Sequence, residues 1–246
     1  MQNRYVADIG DYVKFAILRA LAPGRTLGLA WWLFPDEDHN ADGGHREYLQ
    51  QEHVWKQYDP ILFEALLKIN RENTLHVSAI ERAAFLPDAV FAAAPVPCEI
   101  VPFALRPLRR STWLAGIKEA LKDCNLIFLD PDNGIASNGL KLTQRLAGKS
   151  VTIEEINELQ EGNRTVVVYH HQTRRKGGHR SEIYDLAARL RDRKLHVAGA
   201  LRARPWSPRV FFILNGDAEL NDRAKALAEH WGPRISWHPE SEILRN

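Results

Sequence analysis

Only two cysteines, Cys98 and Cys124, occur in this chain of 246 residues. Without a third or fourth they make neither a disulfide framework nor a cysteine-based zinc site, so two reduced thiols near the core are expected. No window approaches the run of about 18 apolar residues that a membrane span requires, and the first eight residues lack the apolar stretch of a signal peptide. A cytoplasmic protein with no membrane partner is the expectation. An excess of one charge sign is also missing: 33 basic against 31 acidic side chains leave a formal net charge of +2. That balance does not by itself announce a polyanionic partner. There are no internal repeats and no low-complexity tracts, and the chain reads as one α/β domain over residues 1–246.

What the chain does contain is a pair of apolar runs ending in chemistry. Leu126-Ile-Phe-Leu129 is followed by Asp130-Pro131-Asp132-Asn133-Gly134. Four apolar residues stopped by carboxylates, an amide and a glycine read as a buried parallel strand delivering polar groups at its carboxyl end. In open α/β sheets that end is where ligands bind. Asp-Asn-Gly is also ordinary turn chemistry, which is the plainer reading of the same residues. The second run, Thr165-Val-Val-Val-Tyr169, ends in His170 and His171. Neighbours on a strand point to opposite faces, so only one of the two histidines can be directed to the core unless the strand has already ended.

Between these runs the pattern alternates. Val13, Ile17, Leu18 and Leu21 stand at helical spacing, and Leu27–Phe34 reads as the first strand. Asp59 and Pro60 open a helix as cap and first residue. A short strand is expected near Leu75–Ser78, then one short helix and one short strand across the proline-rich 80–107 segment. Ser111–Lys122 reads as a helix, Thr152 and Glu155 form a capping-box signature, and 181–191 reads as another helix. The runs 195–201 and 210–214 are separated by too few residues for a crossover helix and must pair antiparallel. The fold class predicted is α/β: a Rossmann-like, mostly parallel sheet with helices on both faces and a terminal antiparallel hairpin.

That alternation resembles the class I S-adenosylmethionine-dependent methyltransferases. Within them, Ala7-Asp-Ile-Gly-Asp-Tyr-Val-Lys14 is similar to the amino-terminal helix of the RlmJ-type ribosomal RNA adenine-N6 methyltransferases, Phe128-Leu-Asp130-Pro131 stands where these enzymes have Asp-Pro-Pro-Tyr, and Phe211–Asn215 resembles their last strand. The resemblance implies S-adenosylmethionine as cofactor, bordered by Asp8, Asp11, Lys14 and Asp36. It further implies a nucleic-acid acceptor oriented by Asp130, Asp132 and Asn133, with His170 or His171 as base or positioning group. The chain departs from the pattern at two places. Trp31–Asp36 occupies the position of the glycine-bearing loop, and Asp132 and Asn133 replace the second proline and the base-stacking tyrosine.

Other readings use the same residues. Asp36, Asp130, Asp132 and His170 would suit a divalent cation, and with it a phosphodiester hydrolase. A non-catalytic nucleic-acid-binding protein on this fold is the third possibility. Asp8 also reads as a simple helix cap, Asp11 as a favourable charge at the helix start and Lys14 as a solvated residue. Arg174, Arg175, Lys176 and Arg180, broken by Gly177-Gly178, are expected to form a basic loop over the site that meets nucleic acid. Arg106, Arg109 and Arg110 read either as phosphate contacts or as a solvated helix lead-in. Trp206, set among Arg202, Arg204 and Arg209, could stack on a base or pack on its own hairpin.

Overall fold

The structure, a computed structural model, describes residues 1–37, 43–98, 101–162, 164–173 and 176–243. Helix α1 (Ile9–Leu21) leads into strand β1 (Leu27–Ala30). Helices α2 (Glu52–Trp55), α3 (Pro60–Arg71) and α4 (Val77–Arg82) follow, then strand β2 (Val90–Ala92) and helix α5 (Arg106–Ala120). Strand β3 (Leu126–Leu129) runs into a small two-stranded sheet of β4 (Gly134–Ile135) and β5 (Ser150–Val151). Next come α6 (Ile153–Leu159), β6 (Thr165–His171), α7 (Gly178–Asp192), β7 (Val197–Ala203) and β8 (Arg209–Leu214). Helix α8 (Ala218–Trp231), strand β9 (Ile235–Pro239) and helix α9 (Glu240–Ile243) complete the described chain.

The large sheet has seven strands in the order β2-β1-β3-β6-β8-β7-β9. The first four are mutually parallel, and β8 lies antiparallel between β6 and β7. Strand alternation divides the interior into two layers. Leu27, Leu29, Phe128, Val167, Tyr169 and Phe211 face α1, α3 and α8, whereas Ile127, Leu129, Val166, Val168, Val210 and Phe212 face α5, α6 and α7. The architecture is α/β and consistent with a Rossmann-like fold.

Local chemistry sets the element ends. Asp8, Asp59, Thr152 and Asp217 each cap a helix by accepting from a backbone N–H one turn on, a contact worth about 1 kcal/mol. The expected strand at Leu75–Ser78 is instead helix α4, capped by the His76 imidazole. Its short β-branched stretch buries Val77 and Ile80 at helical spacing, a pattern too brief for periodicity to assign. Strand β1 stops at Ala30 because Trp32 takes a left-handed backbone conformation with φ of 50°. The buried Trp32 indole offsets that strain by packing edge-on against Trp113 at 4.6 Å and donating to the Ser150 carbonyl at 3.2 Å. After the β7–β8 hairpin, α8 and β9 add a layer and an edge that the apolar pattern alone does not mark. Among the described residues no helix is long and apolar enough to cross a membrane, and the two cysteines are buried and form no disulfide.

At Gly134 the backbone leaves no choice. Its φ is 86°, and a Cβ there would lie 2.4 Å from the His170 Cα. Gly134→Ala is therefore expected to lower stability by at least about 2 kcal/mol in chemical denaturation, from left-handed strain plus the collision with β6. A loss below about 0.5 kcal/mol would show that the 130–135 loop is free to move away from β6.

Candidate functional site

A cavity of about 480 Å³ opens at the carboxyl ends of β1, β3 and β6, beside the first turn of α1. This is where an open sheet changes winding direction, because β1 has the next strand in sequence, β2, on one side and β3 on the other. Asp8, Asp11, Lys14, Asp130, Asp132, Asn133 and His171 all line it. The two apolar runs that the sequence singles out thus end at one site.

Lys14 is the centre of the floor. Its Nζ donates to Asp11 Oδ1 at 2.7 Å and to Asp130 Oδ2 at 2.8 Å, and all three side chains are buried. Burial works against the lysine charge, but the two carboxylates outweigh it and hold the ammonium above the usual lysine range. Asp11 also accepts from the Ala7 N–H, while Asp8 Oδ1 accepts from the Asp11 N–H, so the turn entering α1 is closed from both sides. Burial pushes the Asp11 carboxyl up to about 7; Lys14 opposes the shift and the charges of Asp8 and Asp130 add to it. Asp8 and Asp130 are 4% and 3% exposed, and each keeps one carboxylate oxygen that makes no hydrogen bond among the described residues.

Asp132 lines the same cavity, but both its oxygens are engaged. The Met1 ammonium lies 2.7 Å from Oδ1 and the Gln2 amide donates to Oδ2 at 2.6 Å. The same ammonium donates to the carbonyls of Trp32 and Asp130, bridging the ends of β1 and β3. Asn133 is exposed at the rim. His171 shares the Tyr169 face of β6, its Nδ1 lying 3.3 Å from the Tyr169 hydroxyl. Burial raises that phenol to about 12, which keeps it neutral.

Several expected site residues lie elsewhere. His170 points to the opposite face of the sheet, where its Nδ1 accepts from the Ile135 N–H at 3.0 Å and its Nε2 stands 3.7 Å from Glu182. Strand alternation sends it there, since Tyr169 and His171 take the cavity side. Asp36 is exposed and accepts from the Arg4 N–H, and it is Glu37, paired with Lys149, that reaches the cavity. Lys176 is exposed and does not line the cavity. Arg180 lies on α7, bonded to the Tyr184 hydroxyl and to Glu242 at 2.8 Å, because α7 packs on the His170 face of the sheet. Arg174 and Arg175 lie outside the described residues. Arg110 is buried against Glu155 and the Ser150 carbonyl, so it is neither a phosphate contact nor a solvated lead-in.

The four residues considered for a cation, Asp36, Asp130, Asp132 and His170, are not brought together. Two of them are away from the cavity and two are occupied by cationic nitrogens of the chain. Among the described residues no group of three or more His, Cys, Asp or Glu side chains is arranged to hold a metal. Tyr5, Glu37 and Lys149 reach the cavity without any motif to mark them in the sequence. Comparison of the chain with protein-family profiles and with curated proteins returned no match.

The raised Asp11 carboxyl sets a pH dependence with a definite sign. Because the folded state holds this proton more tightly than the unfolded chain, the group's contribution is fully present below pH 3.8 and is lost as pH rises through about 7. Asp11→Asn, which keeps a neutral side chain of the same shape, is expected to flatten the fall in unfolding free energy between pH 4.5 and 7.5. Parallel pH–stability curves for wild type and Asp11→Asn would contradict this.

Proposed function

We propose that the cavity is the active site of an S-adenosylmethionine-dependent methyltransferase, or a diverged relative, acting on an amine-bearing acceptor. The observation that carries this reading is the pair of buried carboxylates, Asp8 and Asp130, which line the cavity and each keep one oxygen that makes no hydrogen bond among the described residues. A buried acceptor left without a donor costs about 1–3 kcal/mol, so such a site is complementary to ligands that bring N–H groups or positive charge. Asp8 also occupies the start of α1 as its cap, the place where a helix would otherwise favour a phosphate. A phosphodiester hydrolase has no comparable support, because the carboxylates it would use are held by Lys14 and the Met1 ammonium.

The residues fit the cofactor chemically. Asp8 and Asp130 suit its positive charge, Trp206 and His45 at the mouth suit a planar ring, and the volume lies within the usual range for small-molecule sites of about 300–1,000 Å³. When bound, the cofactor supplies an electrophilic methyl group. The protein's own part is positioning in a site screened from water. Lys14 holds Asp130 in one orientation, Asp130 accepts a hydrogen bond from the acceptor amine, and His171 at the rim takes up the proton the amine releases. Nucleic acid as the acceptor draws no support from Arg180 or Lys176, and the cavity's own carboxylates suit a single amine-bearing base or a small amine.

Calorimetric titration with S-adenosylmethionine tests the reading. Wild type is expected to bind with measurable heat, and Asp8→Asn, which preserves the helix cap, to bind at least about tenfold more weakly, equivalent to about 1.4 kcal/mol. No heat at millimolar S-adenosylmethionine in the wild type would sink methyl transfer as the function.

A further inference from the structure

Among the described residues, Trp206 stands out as the one large aromatic exposed at the cavity mouth, with 66% of its surface free. Its backbone is left-handed, with φ of 63°, a conformation that costs a bulky residue about 1–3 kcal/mol. Neither property follows from packing on its own hairpin. The indole instead meets the His45 imidazole with centroids 4.3 Å apart and planes tilted by 33°.

Both rings are anchored from behind. The buried Arg209 donates from Nη1 to the carbonyls of Pro205 at 2.8 Å and Ser207 at 2.9 Å, fixing the chain on either side of Trp206. Gly10 makes room for that guanidinium, since a Cβ there would lie 2.9 Å from Arg209 Nη2. The His45 carbonyl accepts from the Ile9 N–H at 3.0 Å, which ties this ring to the first turn of α1, the helix that carries Asp11 and Lys14. The aromatic mouth and the acidic floor therefore share one support.

We propose that Trp206 and His45 form a stacking platform for a planar, amine-bearing heteroaromatic ring, an unphosphorylated purine-like base or its nucleoside, with the ring amine received by Asp8 and Asp130. Two independent features point to that ligand: a pre-positioned pair of rings at the mouth, and two carboxylates, more than nine-tenths buried, that line the cavity with one oxygen each unbonded among the described residues. Phosphate is disfavoured because five carboxylates, Asp8, Asp11, Asp130, Asp132 and Glu37, line the cavity against four cations, of which Lys14, Lys149 and the Met1 ammonium are paired with carboxylates and Arg209 is bonded to the Pro205 and Ser207 carbonyls. The proposal rests on the cavity being the ligand site argued above, though not on methyl transfer.

The test is titration of the full chain with adenosine, inosine and adenosine 5′-monophosphate, followed by calorimetry and tryptophan fluorescence. Adenosine is expected to bind and to quench the emission of the exposed indole. Inosine, without the exocyclic amine, and the monophosphate are each expected to bind at least about tenfold more weakly. Trp206→Phe should keep adenosine binding while losing the quench, and Trp206→Ala should weaken binding about tenfold or more, in line with about 1–3 kcal/mol per stacked base. Adenosine affinity unchanged in Trp206→Ala, a monophosphate that binds as well as adenosine, inosine binding as well as adenosine, or no adenosine binding at all would each overturn the proposal. Trp206-dependent adenosine binding with no heat from S-adenosylmethionine keeps the platform and removes methyl transfer. S-Adenosylmethionine binding that is indifferent to Trp206→Ala removes the platform and leaves methyl transfer standing.

Discussion

The Lys14 ammonium, buried between Asp11 and Asp130, is the interaction on which the rest of the site depends. It ties the first turns of α1 to the end of β3, two segments more than a hundred residues apart in the chain. Taking three charged groups out of water is costly, and such a cluster gives little net stability compared with an apolar core. Its effect is on geometry. With one partner removed, the charge left behind would cost about 3–5 kcal/mol, so the arrangement holds only when α1, β3 and the cavity wall are all in place.

The Met1 ammonium works alongside it. Donating to the Trp32 and Asp130 carbonyls and paired with Asp132, it closes the gap between β1 and β3 at the point where dinucleotide folds usually leave a glycine-rich turn. The left-handed Trp32 fits the same account, because the turn it makes presents its carbonyl to that ammonium.

On the other face, the 130–135 loop is braced from behind. His170 accepts from the Ile135 N–H, Gly134 lets β6 approach to within contact, and Asn133 donates its N–H to the Lys149 carbonyl. One histidine of the adjacent pair therefore supports the loop while the other lines the cavity. Each has a role that follows from strand alternation, and the two roles are not interchangeable.

Much of this was legible in the chain before any coordinates. Apolar runs of four or five residues marked β3 and β6, caps and prolines marked α3 and α6, and the polar residues after Leu129 and Tyr169 pointed to a shared site, because period and capping are local properties. Alternation even stated that only one of His170 and His171 could face a given side. Which one it was depended on the side to which α1 packs, and that is decided by long-range burial. The same limit explains Asp36 and Arg180, whose surroundings come from segments distant in sequence, and α4, whose six residues suit helix or strand equally until Val77 and Ile80 find the core. The pairing of Lys14 with Asp130, of Met1 with Asp132 and of Trp206 with His45 left no trace in spacing or composition. Those contacts join residues 116 to 161 positions apart, farther than any local periodicity reaches, and only the closed sheet brings them within contact distance.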